Sequence, residues 1–353
     1  IRDRAQTAQM KGDADGARTT FTAMLDDQRT QVAGLHGLHV EADRAGEAEV
    51  ARHFATKARE LTNQAPWANR AMLRYQIAEQ DWAGALATLS ASADSRNIDK
   101  DLLRRHRAVI LTAQAIDIED SDPQTARQQA LEAHGLAPDL APAATVAGRL
   151  LTRLGEIRRA VKVLETSWKA APHPEIAEAY AHVRSGDSAR DRMKRISALA
   201  RMRPQADEGK LAIASAAIDA RDWEAAREAL MPVLKTRPTR NALILMSEVE
   251  EAEHGDRGRA REWLARAVHA PRDPVWIADN MELDAWAPVS PVSGRIDAVE
   301  WRVPTAQIGE PEALDLDIER DIQTAALPAV VAGTALAEAD TQIDQGSTTV
   351  PAL

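Results

Sequence analysis

Seven alanines, each just after a Gly- or Asp-bearing turn, recur along this chain at nearly constant steps: Ala17, Ala51, Ala85, Ala126, Ala160, Ala226 and Ala260. Four of the six steps are 34 residues. The step of 41 is lengthened by the polar stretch SASADSRNIDK, and the gap of 66 leaves room for an eighth copy near Arg192, in SGDSARDRMKRISALARMRP. Four residues after each anchor stand Phe21, Ala55, Leu89, Ala130, Leu164, Ile196, Leu230 and Leu264, all apolar. Seven after it stand Met24, Ala58, Ser92, Ala133, Ser167, Leu199, Val233 and Ala267, all small or apolar. Offsets of zero, four and seven share one helix face. Twelve after the anchor, four copies carry proline (Pro138, Pro172, Pro204 and Pro238), which ends the helix and fixes the turn into the next unit. The look-alike stretches QDWAGALATL (80–89) and RDWEAAREAL (221–230) are then two copies of one unit.

A period of 34 with helix–turn–helix logic resembles the tetratricopeptide repeat. The fullest match is TVAGRLLTRLGEIRRAVKVLETSWKAAP. There Gly148 stands where the first helix needs a small residue against its partner, Gly155 stands in the turn, and Ala160, Leu164 and Pro172 take the remaining signature positions. One hairpin cannot bury its apolar face alone; stacked neighbours join their faces into a continuous core that curves into a superhelix. The expected fold is all-α, a right-handed superhelix (solenoid) of about eight tetratricopeptide-like helical hairpins over residues 1–272, with the first helices lining the concave side. Composition agrees. Apolar residues make up 44% and aromatics 3%, with alanine dominant, which favours close helix packing over strands. Cysteine is absent, which excludes disulfides, thiol nucleophiles and covalent c-type haem. From Gly309 onward nine carboxylates face one arginine, so this segment holds −8 of the net −10. The remainder is near neutral, so nonspecific nucleic-acid binding by a basic body is not supported.

After Pro271 the composition changes. Residues 273–308 hold Trp276, Trp286 and Trp301 together with Pro274, Pro288, Pro291 and Pro304, and RIDAVEW alternates as an extended segment would. The expectation is an irregular C-terminal cap arm that lays its tryptophans over the open face of the last hairpin. Residues 309–353, acidic and poor in aromatics, read as a disordered tail that could fold back as an internal competitor.

Helical repeats ending in DPVWIAD and then WAPVSPVSGRIDAVEWRVP resemble the HemY-type tetratricopeptide proteins of proteobacteria, in their alphaproteobacterial form. The resemblance implies an inner-membrane protein whose repeat domain faces the cytoplasm, anchored by N-terminal helices that would lie ahead of Ile1. It also implies an association with haem and other tetrapyrrole biosynthesis, its enzymes as protein partners, and no catalysis or cofactor of its own. An unrelated flavin-dependent protoporphyrinogen oxidase shares the name; it needs a Gly-x-Gly-x-x-Gly turn, which this chain lacks, so that activity is not carried over. Two other functions fit the repeats: a tetrapyrrole-binding carrier, and a scaffold for envelope assembly.

Candidate sites are few. His36 and His39, three apart with Glu41 and Asp43 nearby, lack a third ligand at fitting spacing, so no metal is expected. Ser185–Ser188 reads as a turn and cap, not as a nucleophile elbow. Arg70 with Arg74, and Arg149 with Arg153, are pairs four apart on first helices, hence on one face. Such arginines can fork to the carboxylates of a partner. The basic run from Arg190 to Arg203 falls on a second helix.

Overall fold

The structure is a computed structural model that describes residues 7–8, 10–62, 65–92 and 99–304. All of these belong to one compact unit, Ile1–Pro311. The acidic tail predicted over 309–353 lies outside the described residues, and so do residues 305–308 of the arm.

Fifteen α-helices appear among the described residues. The first is α1 (Ala14–Ala23), which carries the Ala17 anchor as the second helices of the hairpins do. Seven complete hairpins follow: α2 (Gln31–Arg44) with α3 (Ala48–Leu61), α4 (Pro66–Ala78) with α5 (Trp82–Ser92), α6 (Lys100–Ile118) with α7 (Pro123–Leu136), and α8 (Ala141–Arg153) with α9 (Ile157–Ala170). The series ends with α10 (Pro174–Ala181) and α11 (Ala189–Ala200), α12 (Asp207–Asp219) and α13 (Trp223–Thr236), and α14 (Arg240–His254) and α15 (Arg257–His269). The fold is an all-α solenoid of tetratricopeptide-like hairpins. Part of the long repeat step is absorbed by α6, which runs 19 residues where α4 and α8 run 13.

The anchors explain the stacking. Ala17, Ala51, Ala85, Ala126, Ala160 and Ala226 are fully buried, and Ala260 nearly so. An alanine there lets two helices approach closely, and alanine is also the best helix former. The eighth copy departs from the rule: Arg192 stands at the anchor, half-buried, with its guanidinium donating to the Asp187 carbonyl at 2.9 Å. Gly148 needs its missing side chain, since a Cβ would stand 2.9–3.0 Å from the Leu164 methyls. Leu164 is fully buried, and its truncation to alanine would cost about 2–5 kcal/mol. Pro138, Pro172 and Pro238 each follow the last helical residue by two positions, in keeping with their role as stops.

The inter-helix turns repeat a backbone device. Gly46, Gly155, Gly186 and Gly255 adopt positive φ there, and so do the non-glycine residues Gln80 and Arg221. The last two open the twin Asp-Trp stretches, whose aspartates cap the next helix: Asp81 accepts from Gly84 N–H at 2.9 Å and Asp222 from Ala225 N–H at 3.2 Å.

Beyond α15 the arm forms a three-stranded antiparallel sheet, where an irregular segment was expected. The order is β2 (Met281–Leu283), β1 (Val275–Ala278), β3 (Glu300–Arg302), with Trp276 opposite Leu283 on one side and Trp301 on the other. Asp279 and Asn280, both at positive φ, make the two-residue turn between β1 and β2.

Candidate protein-interaction groove

The described part of the arm does not lie over the outer face of α15. Leu264, expected to face inward, is 45% exposed on α15, and Val268 is 66% exposed. Among the described residues no hairpin follows α15 to cover that face. Trp276, Trp286 and Trp301 lie elsewhere, along the face built from the first helices of the hairpins.

The arm runs back along that face from the end of the stack. Arg240 N–H donates to the Pro271 carbonyl and Asn241 N–H to Asp273 Oδ2, which ties the arm to the start of α14. Trp276 Nε1 donates to Glu175 Oε1 at 3.1 Å at the start of α10, across 101 residues of sequence. The rings of His173, Trp276 and Trp301 meet one another, with His173 stacked on Trp276 at 5.0 Å between centroids, His173 to Trp301 at 4.4 Å and the two indoles edge to face at 5.2 Å. His173 Nδ1 also accepts from Glu175 N–H and so caps α10. Enclosure by these rings pushes the His173 pKa down to about 4, because burial penalises the imidazolium.

Farther back, Trp286, Val289 and Ile296 pack against the cluster that joins Leu73 and Ile77 of α4 to Ile110 and Ala113 of α6. Asp297 then accepts from Arg105 Nε on α6 at 2.9 Å, across 192 residues, while Asp139 takes another donor of the same guanidinium at 2.8 Å. Ser293 donates to Asp279 Oδ2 at 2.5 Å and Ser290 donates to the same oxygen, which closes the loop that carries these contacts. Gly294 passes so close to Arg74 that a Cβ would stand 2.6 Å from its Cδ.

The predicted arginines are placed as follows. Arg74 pairs with Asp43 at 2.5 Å, Arg149 with Glu119 at 2.9 Å and Arg153 with Asp120 at 3.1 Å. Each acid belongs to the end of the preceding first helix or the turn after it, so these arginines are rungs between neighbouring hairpins. Arg70 is exposed and makes no ion pair among the described residues. In the basic helix α11, Arg195 donates to the Ala181 carbonyl and pairs with Asp187, and in the turn after it Arg203 donates to the Lys169 carbonyl. His39 Nδ1 lies 3.0 Å from the Ala51 carbonyl, and both His36 and His39 rest on the Trp67 ring. No metal-holding cluster occurs among the described residues. Ser188 caps α11 through Asp191 N–H.

Between α10, α12, α14 and the arm the same face stays open. The cavity there measures about 600 Å³. Ala177, Ala181, Leu211, Ala212, Leu245 and Trp301 give it an apolar floor. Sequence reading missed this place. Its signal was present on α12, where Glu208, Leu211, Ala212, Ser215, Ala216 and Asp219 recur at spacings of three and four, an apolar stripe with a carboxylate at each end.

No protein-family model matches the chain. It is 28% identical over 242 residues to the probable magnetosome protein Mms48 of Magnetospirillum gryphiswaldense. That alignment covers 68% of this chain and 53% of the relative, so the chain spans about half the length of the curated relative it matches. Among solved structures the chain is similar to a tetratricopeptide repeat protein from Parabacteroides merdae, at 12% identity over 67% of this chain and 98% of that one, with a TM-score of 0.34. It is also similar to Pseudomonas aeruginosa pilF, at 15% identity over 72% and 90% of the two chains, with a TM-score of 0.30. The curated relative is not described as HemY-type, and the tetrapyrrole reading rests on the arm's sequence alone.

Proposed function

We propose that the chain is a non-catalytic scaffold that holds segments of other proteins on the face formed by its first helices. The observation that carries this reading is the seating of the chain's own arm. An extended stretch rich in tryptophan and proline already lies along that face, fixed by apolar side chains and by single polar ties such as Arg105–Asp297 and Glu175–Trp276. A surface that grips polypeptide in this way in cis is suited to grip it in trans, and the stretch beside α12 is free to do so. A photo-crosslinking residue placed at Leu211 in the full-length protein, in its own cells, should yield discrete protein adducts. The same probe at Leu264, on the outer face of α15, should yield fewer. Equal or absent labelling would count against the scaffold.

The setting is proposed on two further grounds. The arm's likeness to HemY-type proteins supports a place at the inner membrane, facing the cytoplasm, beside enzymes of tetrapyrrole biosynthesis. Similarity to a probable magnetosome protein supports a scaffold of that structure instead. No helix among the described residues is long and apolar enough to cross a membrane, so any anchor would have to come from elsewhere in the protein. Identifying the adducts separates the two settings. A haem titration that saturates at one ligand per chain would replace both with a carrier.

A further inference from the structure

We infer that the open stretch beside α12 binds a polypeptide segment with a bulky apolar centre flanked on both sides by lysine or arginine; this rests on the scaffold reading and names its partner's chemistry. Shape supplies the apolar half of the argument. A cavity of about 600 Å³ lies within the range that holds a few side chains, and Ala177, Ala181 and Ala212 leave its floor without protruding groups of their own.

Charge supplies the other half. Five carboxylates line the cavity against two arginines. Asp207 is answered by Lys210 at 2.8 Å, Asp273 by the Asn241 N–H, and Arg192 is held by the Asp187 carbonyl. Glu208 and Asp219, at the two ends of the α12 stripe, make no ion pair among the described residues. Glu248, one turn beyond Leu245 on α14, also makes none, and its carboxyl is held above the usual range by burial and by the Asp219 charge. Glu178 lies against His182 at 3.2 Å and Arg237 makes no ion pair among the described residues, so carboxylates still outnumber arginines in the lining, and a guest cation beside Glu248 would offset the charge of Asp219 there. Glu208 and Asp219 are eleven residues apart on one helix, about 16 Å at 1.5 Å per residue. An extended guest covers that span in about five residues at roughly 3.3 Å each, so its basic residues bracket a short apolar centre. The chain's own residues 309–353 carry −8 and are a poor match for this rim.

The test is fluorescence anisotropy on the full chain. The probes are three labelled peptides sharing a Leu-Trp-Leu centre, flanked on both sides by lysine, by serine or by glutamate. The lysine peptide should bind at least about tenfold more tightly than the glutamate peptide, with the gap narrowing as salt rises. Ala212→Trp, which fills the floor, should weaken it about tenfold or more. Glu208→Gln with Asp219→Asn, near-isosteric changes at a half-buried and an exposed position of α12, should erase the preference for lysine without erasing serine-peptide binding. The inference is overturned by a glutamate peptide that binds as well or better, which would make an acidic guest such as the chain's own tail the occupant. It is also overturned by unchanged binding in Ala212→Trp, or by a dimer of the free chain that Ala212→Trp dissolves. If no peptide binds while the Leu211 crosslinks persist, the guest chemistry is wrong and the scaffold stands; if both fail, both readings fall.

Discussion

Along one continuous face, the stretch over α4 and α6 and the stretch over α10, α12 and α14 are built from the same hairpins and treated oppositely. The first offers Leu73, Ile77 and Ile110, and the arm lies across it. The second offers mostly alanine with Leu211 and Leu245, ringed by carboxylates, and stays open. Large contiguous aliphatic surface invites aggregation unless covered. A shallow alanine floor with a charged rim can stay wet until a guest arrives. The cis segment therefore covers what must stay hidden, and what it leaves bare is the part fit for exchange.

The largest expected effect comes from releasing the cover. Trp276→Ala removes a buried indole held between His173 and Glu175 and should cost about 3–5 kcal/mol. Hydrogen exchange would show protection lost in the arm and over α4 to α10, with α13 to α15 little changed; uniform loss would mean the two stretches do not differ. Acid should loosen the same place. An unfolded histidine titrates near 6.5, while His173 in the fold holds out until about pH 4. The unfolded chain thus takes up the proton first as pH falls. Stability is full above about pH 6.5, declines by on the order of 3 kcal/mol towards pH 4, and levels below it. Urea midpoints across that window should show the decline flattened in His173→Asn, which can keep the cap on α10. His106 and His134, also pulled down by burial, leave a residual slope.

Asp297→Ala strips Arg105 of one of its two carboxylates in a half-buried site and should cost about 1.5–3 kcal/mol. Chemical denaturation measures it, and the Leu211 crosslinks of the open stretch should not change. Gln80→Gly and Arg221→Gly form a matched pair, one turn in each stretch. Each relieves a non-glycine residue at positive φ and should raise stability by about 1 kcal/mol. Unequal gains would show that the arm stiffens the turns near it. The smallest effect is expected from Arg149→Ala, an exposed rung that should move stability by no more than about 0.5 kcal/mol, less still at high salt.

The sequence made the stack legible because everything that defines it is local. Offsets of zero, four and seven mark one face, and Gly155 and Pro172 mark where a hairpin turns and stops. The rungs were half legible. Arg74 and Arg149 were seen to share a face with Arg70 and Arg153, but their acids stand 31 and 30 residues upstream. A search for carboxylates about one period away would have found both. The arm's course was not legible at all. Tryptophans at 276, 286 and 301 say that aromatic surface must be buried and say nothing of where. Nothing in the spacing of Arg105 and Asp297 predicts that they meet.

That meeting has a consequence for synthesis. Asp297 leaves the ribosome 192 residues after Arg105. At roughly 5–20 residues per second the interval is about 10 to 40 s. Once α6 and α7 are made, the hairpins around α4 and α6 are complete in their helices but lack Trp286, Val289 and Ile296, which pack against the cluster of Leu73, Ile77 and Ile110. Until the arm emerges, the nascent chain leaves that cluster without its cover, and a chaperone that binds aliphatic surface has an opportunity there.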